Sequence, residues 1–397
     1  MKIFISIHQL TNIGGATPST LNLLNEISQI HEVTLCTLGR NLKAEEIPEK
    51  VTLVQGSNWY FESMAPRIDL KSKKLYIRLR SLYRRLLKRF FGFEFIMNRV
   101  VKELNFKEDY DVAIAYGNCI YNANGLRVNG GDVDVILKCV NSKKKVEWMH
   151  NDPIQLGYTR EICLREYEML DAIVCVSDDN KRILSEVCPD YKHKFHTVYN
   201  MYNIRRIKSM SAKEGNPFAA SDKKFHFVTV ARINNQQKRI DRIVEVCQRL
   251  EREGYDNYDW TIVGDGPDRN DIESSIAEKK VKTLILVGLQ SNPYPYMLHA
   301  SASVLTSAYE GYSMVVKEAQ VLGTPTVITN YDAAYEAMKN GCEGLICDNS
   351  TKGVYTAIKS ILDNPEQLKI YRKYLEDNPV NNNVALKQFE EVISIEN

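Results

Sequence analysis

Short apolar runs alternate with amphipathic segments of helix length along most of this 397-residue chain. The runs are rich in valine and isoleucine, which is typical of strands that are buried on both faces of a parallel sheet. Such alternation predicts an α/β protein in which helices cover both faces of parallel sheets. The predicted strands are 2–8, 32–38, 51–55, 111–116, 145–150 and 172–177, followed by 225–231, 260–264, 284–288, 302–307, 326–329 and 345–348. They fall into two series and therefore predict two doubly wound domains.

A polar stretch without a clear hydrophobic period separates the two series of strands. We therefore predict a first domain at 1–205, a linker at 206–222 and a second domain at 223–378. The tail at 379–397 is predicted to contain a helix at 384–393 and to pack back on the first domain.

One segment of the first domain has a different pattern. A helix over about 71–91 would place four leucines on one face, namely Leu75, Leu79, Leu82 and Leu86. Basic residues fall mostly on its other faces, and they include Lys74, Arg78, Arg85, Lys88 and Arg89. Two interpretations stay open: a helix that lies on an anionic membrane and meets a membrane-bound acceptor, or one whose apolar stripe packs on its own domain. The many arginines and the tyrosines at the edges of the stripe favour the membrane.

Composition and charge exclude several classes of protein. Apolar residues make up 44% of the chain, which is enough for sizeable cores. The formal net charge of +2 gives no overall signature of nucleic-acid binding, so we expect no nucleic-acid partner. The nine cysteines are dispersed without a CxxC pair, which predicts reduced thiols in the cytoplasm. The first apolar run is too short for a signal peptide, and no run has the length of a transmembrane helix.

Glycine-containing turns follow several predicted strands, at the edge where parallel α/β sheets bind their ligands. Gly14 and Gly15 follow the first strand and would let a phosphate approach the backbone closely. An ordinary strand–helix turn is the alternative, because the pattern is not GxGxxG and has no Walker lysine. In the second domain, the sequence GDGP that begins at Gly264 predicts a similar sharp turn.

Cations and carboxylates follow strands of the second domain. Arg232 and Lys238 come after its first strand and could bind a diphosphate without a metal; two solvated surface cations are the alternative. Glu310 ends an apolar run, and Glu318 is placed two turns into the predicted helix behind it. An ordinary capping acid and surface acid would be the alternative for these two carboxylates.

Taken together, these motifs resemble those of the family-4 glycosyltransferases. The glycine pair, ARINNQQK (231–238), GDGP (264–267), EGYSMVVKEA (310–319) and GTPTV occur in the family's order, and the likeness is strongest at 225–348. The resemblance implies the GT-B architecture, an α/β fold with two Rossmann-like domains that face each other across a cleft. The glycine pair is followed by Ala16, Thr17 and Pro18 in place of the family's acid and arginine, so the likeness does not extend to the acceptor.

The resemblance also implies roles for individual residues. Glu310 would accept hydrogen bonds from the donor sugar and Glu318 from the ribose of the nucleotide, because an ionised carboxylate only accepts. Arg232 and Lys238 would neutralise the departing diphosphate. The other implied donor-binding residues are Gly14, Gly15, Gly264, Gly288, Leu289, Gly311, Tyr312, Ser313, Met314 and Val315.

His150 is the candidate on the acceptor side. It ends a predicted strand of the first domain, and the resemblance places it near the reacting sugar. Asn151 and Asp152, which follow it, are predicted to orient its ring. The alternative is a structural histidine in the core or in a loop.

The implied activity is that of a retaining hexosyltransferase-type glycosyltransferase with a UDP- or GDP-sugar donor. The implied acceptor is a hydroxyl of a lipid-linked or growing saccharide in bacterial surface-polysaccharide assembly, in the cytoplasm or at the inner face of the cell membrane. No metal or cofactor is expected, since Arg232 and Lys238 would hold the diphosphate. Two other classes stay open. One is a non-catalytic nucleotide- or membrane-binding module. The other is a glycoside hydrolase, whose two acids would have to face each other across a substrate.

Overall fold

The structure is a computed structural model that describes residues 1–10, 16–39, 44–64, 73–104, 106–219 and 225–395. The chain divides into two compact units. Unit 1 comprises Met1–Met201 with Asn382–Asn397, and unit 2 comprises Tyr202–Asn381. The glycine pair, Gly14 and Gly15, lies outside the described residues.

Unit 1 contains a parallel sheet with helices between its strands. It begins with β1 (Lys2–Ile7), α1 (Ala16–Ile27), β2 (Glu32–Thr37), β3 (Val51–Gln55), α2 (Asn58–Met64) and α3 (Leu75–Glu103). It continues with β4 (Asp109–Ala115), β5 (Ile120–Tyr121), β6 (Arg127–Asn129), α4 (Asp132–Lys138), β7 (Asn141–Met149), α5 (Arg160–Glu166), β8 (Ala172–Cys175), α6 (Asp178–Val187) and β9 (Phe195–Thr197). The seven-stranded sheet has the order β3-β2-β1-β4-β7-β8-β9, and β5 pairs with β6 in a separate antiparallel ribbon.

Unit 2 repeats this plan with six strands. Its elements are α7 (Ile204–Ser211), β10 (Phe225–Val230), α8 (Ile240–Arg252), β11 (Tyr258–Val263), α9 (Arg269–Lys279), β12 (Leu284–Gly288), α10 (Tyr294–His299), β13 (Ala302–Leu305), α11 (Met314–Val321), β14 (Thr326–Thr329), α12 (Ala334–Ala337), β15 (Gly344–Cys347), α13 (Thr351–Asp363) and α14 (Glu366–Asp377). The strand order is β12-β11-β10-β13-β14-β15, and every pair is parallel. The final helix of the chain, α15 (Asn383–Ile393), belongs to unit 1.

All twelve predicted strands are present in the structure. The prediction and the structure differ mainly in short elements. The strand β9 was not predicted because its sequence, FHT, is too short to establish a period. Residues 206–211 of the predicted linker are helical, because they form part of α7. The Asn203 side chain caps this helix by accepting a hydrogen bond from Arg206 N at 3.0 Å. Ile207 of this helix is buried beside Tyr202 and Met297 in unit 2.

Helix α15 packs on unit 1 through a mixture of polar and aromatic contacts. His31 Nε2 lies 2.8 Å from Glu390 Oε1, and Gln388 accepts a hydrogen bond from Tyr199 N at 3.1 Å. The Phe389 ring is fully buried, with its centroid 6.1 Å from that of Trp148. These contacts link the last helix to residues in or beside β2, β7 and β9 of the first sheet.

Helix α3 consists of two parts with opposite surfaces. Gly92, with φ 82° and ψ 179°, interrupts the helix. After the interruption, Phe93, Ile96 and Met97 are buried in the core of unit 1. Before it, the predicted leucine face is exposed, with Leu75 67% and Leu82 56% accessible. The interpretation in which the leucine stripe packs on its own domain is therefore wrong.

The five basic residues singled out in this helix and at its N-cap divide between two environments. Lys74, Arg78 and Arg89 are exposed, whereas Arg85 and Lys88 are half-buried. Lys88 Nζ lies 3.0 Å from Met64 Sδ, and burial lowers the pKa of Lys88. Two of the five basic residues assigned to a membrane or acceptor surface are therefore partly covered by the protein. Among the described residues, no helix combines the length and the apolar character needed to cross a membrane.

Candidate functional site

The carboxyl ends of β10 and β13 carry an ion pair in unit 2. Lys238 lies in the turn between β10 and α8, and its Nζ contacts Glu310 Oε1 directly. Glu310 also accepts a hydrogen bond from Ser307 Oγ at 2.6 Å. The side chains of Lys238 and Glu310 are only 17% and 9% exposed. The structure therefore brings together two of the predicted site residues and pairs them with each other.

The main chain around this pair is fixed by hydrogen bonds between the two turns. Thr306 Oγ1 donates to Lys238 O at 2.8 Å, and Ala308 N donates to Gln237 O at 2.7 Å. Arg242 Nη1 donates to Thr306 O at 3.1 Å. Buried polar groups that are bonded in this way hold a loop in one conformation, so the Lys238–Glu310 pair is preorganised.

Arg232, the other predicted cation, is exposed at the end of β10 and forms no ion pair within the part of the chain that is described. It therefore remains available to an anion in solution. The charge of Lys238, in contrast, is already matched by Glu310.

Glycines at the end of β11 permit close contact between neighbouring strand ends. A Cβ on Gly264, which has φ 155°, would lie 1.9 Å from Ala231 O, and one on Gly266 would lie 2.1 Å from Ile233 O. No side chain fits at either position, so the approach of one backbone to another requires these glycines independently of any ligand. Further along, Gly288 ends β12 with φ 76°, and Leu289 beyond it is 69% exposed.

Helix α11 carries the second acid. Glu318 lies four residues beyond Met314, where the helix begins, and so little more than one turn in, rather than the two turns predicted. It is 9% exposed, and its Oε1 accepts a hydrogen bond from Tyr294 OH at 3.2 Å. Burial raises the pKa of Glu318 to about 7, while Tyr294 and the positive charge of Arg206 oppose the shift.

Five further predicted donor-binding residues lie at the amino terminus of α11. Ser313 is its N-cap residue, and its side chain does not cap the helix. Gly311 and Tyr312 precede it and are half-buried, as are Met314 and Val315 in the first turn. The first N–H groups of a helix lack partners inside the helix and so can donate to an anion or to a sugar oxygen.

His150 directly follows β7 in unit 1 and is held in one orientation. Its main-chain N donates to Asn118 Oδ1 at 2.8 Å. Its Nε2 lies 2.9 Å from Tyr116 O, and because a carbonyl only accepts, Nε2 carries the proton and Nδ1 is left as an acceptor. Burial lowers the pKa of His150 to about 4, so the ring is neutral at neutral pH.

Asn118 and Tyr116 hold His150, and the prediction that Asn151 and Asp152 orient it is not borne out by these contacts. Asp152 Oδ1 instead accepts a hydrogen bond from Ile154 N at 2.7 Å. Asn118 was missed because it lies in a different strand-end loop, 32 residues before His150, and no local pattern links the two.

A second polar pair at the edge of the same sheet was also missed. His8, which follows β1, has Nδ1 3.3 Å from Asp132 Oδ2, and Ser6 Oγ donates to Asp132 Oδ1 at 2.7 Å. Asp132 is fully buried. A Cβ on Gly117 would lie 2.2 Å from Asp132 Oδ2, so Gly117 leaves room for the pair. His8 ended a predicted strand and could have been noted on that ground, whereas Asp132 had no signal.

Comparisons with known proteins place these sites in context. Residues 211–377 match the family described as "Glycosyl transferases group 1". An uncharacterized glycosyltransferase of Methanocaldococcus jannaschii, MJ1059, is 28% identical over 208 residues, which is 49% of this chain and 50% of that protein. The chain spans about half the length of the curated relatives it matches, or less.

Solved structures resemble the chain over nearly its full length. The HepE protein of Anabaena in complex with UDP-glucose has a TM-score of 0.67 at 12% identity, covering 99% of this chain and 98% of that one. WaaG, a glycosyltransferase involved in lipopolysaccharide biosynthesis, has a TM-score of 0.59 at 13% identity, covering 98% and 99%. At such low identity these likenesses establish the fold. The predicted class, α/β of the GT-B type with two doubly wound parallel-sheet units, is confirmed.

Proposed function

We propose that this protein is a glycosyltransferase that moves a sugar from a nucleotide-diphosphate donor to a hydroxyl of a saccharide or lipid-linked acceptor. The observation that carries the proposal is the preorganised Lys238–Glu310 ion pair at the strand ends of unit 2. This pair lies within the residues that match the glycosyltransferase family. A partly buried cation and carboxylate, held in one loop arrangement, suit a ligand that has both phosphates and hydroxyls.

Donor binding would exchange the partners of this ion pair. The diphosphate takes Lys238, with Arg232 as a second cation, and Glu310 is released to accept hydrogen bonds from the donor sugar. Glu318 in turn accepts from the ribose hydroxyls, and the N–H groups of Ser313 and Met314 donate to the ligand. Lys238, Glu310 and Glu318 are already partly or largely buried, so their part in binding costs less desolvation than it would for charges fully in water.

The proposed reaction proceeds with retention and without a metal. The bond between the sugar C1 and the diphosphate oxygen breaks, and the acceptor oxygen bonds to C1 on the same face. The hydroxyl proton passes to the departing phosphate oxygen. Lys238 and Arg232 stabilise the negative charge on that phosphate, which is where charge develops. His150 is proposed to lie on the acceptor side, where its unprotonated Nδ1 accepts a hydrogen bond from a sugar hydroxyl.

The proposed setting is the assembly of surface polysaccharide in the cytoplasm, at the inner face of the cell membrane. One observation supports this setting: WaaG, a similar solved structure, is a glycosyltransferase involved in lipopolysaccharide biosynthesis. The donor is suggested by HepE, which was solved with UDP-glucose. A uridine nucleotide is therefore the first donor to test, and a guanosine nucleotide is the second.

A thermal-shift panel tests the donor site. UDP, GDP and UDP-glucose are each added to the wild-type protein and to Lys238→Ala, with and without EDTA, because a ligand that binds only the folded state raises the Tm. The matched control is Lys369→Ala, which removes an exposed ion pair with Glu366 at 2.7 Å. We expect one nucleotide to raise the Tm of the wild type and of the control, with no effect of EDTA, and to leave Lys238→Ala unchanged.

Other outcomes would contradict specific parts of the proposal. A shift that EDTA abolishes would overturn metal independence, and no shift with any nucleotide would overturn the donor site. Nucleotide binding without transfer to any saccharide or to water would identify a non-catalytic module. Release of sugar from a glycoside in the absence of nucleotide would identify a hydrolase.

A further inference from the structure

The part of helix α3 before Gly92 has most of its leucines in solvent, while Ser81 and Arg84 are buried against the protein. Eight large apolar residues are between 45% and 77% exposed: Leu75, Tyr76, Leu79, Leu82, Tyr83, Leu86, Phe90 and Phe91. The leucines recur at intervals of three and four residues and so share one face. We call this surface, defined by the eight residues, the outer face of α3.

The opposite side of the helix is bound to unit 1 by polar contacts. Glu62 of α2 is 2% exposed, and it pairs with both Arg80 and Arg84. Ser81 Oγ donates to Glu62 O at 2.6 Å, and the Arg84 guanidinium lies 4.0 Å from the centroid of the Trp59 ring. A soluble helix normally directs its leucines inward. Here arginine and serine occupy the inward positions, so the fold itself holds the leucines outward.

An exposed apolar surface of this kind indicates an interaction site that a partner covers. Contiguous apolar patches of more than a few hundred Å² are rare on soluble proteins and mark interaction sites. The chain returns to ordinary packing directly after Gly92, where Phe93 and Ile96 are buried. The exposed stretch therefore ends at a defined break in the helix, and it is not a general property of α3.

The charges beside the outer face indicate the chemistry of the partner. Lys74, Arg78 and Arg89 are exposed, and no acidic residue occurs between Leu75 and Phe91. A second copy of the chain would bring like charges together along this surface. An anionic membrane would pair with the cations while its acyl chains received the leucines and phenylalanines.

We propose that the outer face of α3 docks on a bilayer containing anionic phospholipid, with its apolar side chains at the boundary between head groups and acyl chains. This extends the proposed function by naming the surface that brings the enzyme to a membrane-bound acceptor, but docking itself does not require transfer activity. The apolar side chains supply the main attraction, and the cations select anionic lipid.

Vesicle sedimentation tests the proposal with the full-length chain. Vesicles of phosphatidylcholine alone are compared with vesicles that also contain phosphatidylglycerol. The test variant is Leu79→Ser with Leu82→Ser, and a second variant is Arg78→Gln with Arg89→Gln. The matched control is Ile30→Ser with Met169→Ser, because these residues of unit 1 are 61% and 68% exposed and lie outside α3. Unchanged Tm values confirm that each variant folds.

We expect the wild type and the control to bind the anionic vesicles more tightly than the neutral ones. The leucine variant should lose at least about tenfold in affinity for both kinds of vesicle, and the arginine variant should lose the preference for anionic lipid. Failure of the wild type to bind anionic vesicles, or equal binding by the leucine variant, would overturn the proposal. The proposal would also be overturned if the wild type did not bind vesicles but formed a dimer, detected by light scattering, that the leucine variant abolishes.

The nucleotide-induced Tm shift is measured on the same samples. A variant that loses vesicle binding but keeps this shift separates membrane docking from donor binding. Vesicle binding by a wild type that shows no shift with any nucleotide would leave docking in place and would count against the proposed function alone.

Discussion

Each unit buries one glutamate whose pKa is raised to about 7, yet the surroundings of the two differ. Glu147, on β7, is 1% exposed and accepts a hydrogen bond from Tyr158 OH at 2.9 Å. Around it the Tyr158 ring stacks on Tyr167 and meets Tyr121 edge-on. Glu318 also accepts from a tyrosine, but it lies on the first turns of α11, close in sequence to Glu310 and its lysine partner.

The comparison shows that a raised pKa does not by itself identify a ligand site. Burial explains the shift of both carboxyl groups. Glu318 is distinguished by its position near the start of a helix that follows a strand of unit 2. This part of the chain matches a glycosyltransferase family. Glu147 lies among aromatic side chains, so it is the natural control for every experiment on Glu318.

The largest expected effect concerns stability. A carboxyl whose folded-state pKa is raised from 4.5 to about 7 keeps its proton where the unfolded chain has lost it, so stability falls as pH rises between these values. Glu147→Gln and Glu318→Gln each remove this loss. Each should raise the free energy of unfolding at pH 8 by at most about 3 kcal/mol, and by almost nothing near pH 4. Denaturant unfolding at both pH values measures the difference, and a gain that does not depend on pH would contradict the assignment.

The next effect separates Glu310 from Glu318. Glu310→Gln should lower sugar transfer, measured as release of UDP from UDP-glucose, by about a hundredfold, which is typical of losing one charged contact in a transition state. Nucleotide affinity should be kept or improved, because Lys238 loses its carboxylate partner. Titration calorimetry with UDP checks the second part. A loss of UDP affinity equal to that of Glu318→Gln would refute the separate roles.

A smaller effect distinguishes the two buried acids directly. Glu318→Gln should weaken nucleotide binding by about tenfold, since a charge-assisted hydrogen bond to ribose becomes a neutral one. Glu147→Gln should leave the Kd unchanged. Equal weakening in both variants would mean that Glu318 acts through stability alone.

The smallest effect is the pH dependence of nucleotide affinity. Because Glu318 ionises near pH 7, UDP should bind a few-fold more tightly above this pH than below it. Titration of the UDP phosphate itself contributes to the pH dependence of affinity in all samples. The effect of Glu318 is therefore measured as the difference in this pH dependence between the variants. The component due to Glu318 should disappear in Glu318→Gln and persist in Glu147→Gln.

Local patterns in the sequence predicted most of the fold. The twelve strands were evident because buried parallel strands are continuous apolar runs, and both cations and both acids of the proposed donor site follow such strands. The strand ends of one sheet meet at one edge, so a site on unit 2 could be expected before any coordinates. Short elements such as β9 were missed, since a few residues cannot establish a period.

Partners that are distant in the sequence were decided by the tertiary structure. The Lys238–Glu310 pair joins residues 72 positions apart, and Asp132 meets His8 across 124. The orientation of α3 is the clearest case, because its periodicity fits a face turned inward as well as one turned outward. Glu62, on another helix, binds Arg80 and Arg84 and so selects the outward one. Periodicity fixes which residues share a face, whereas the direction of that face depends on contacts that only folding creates.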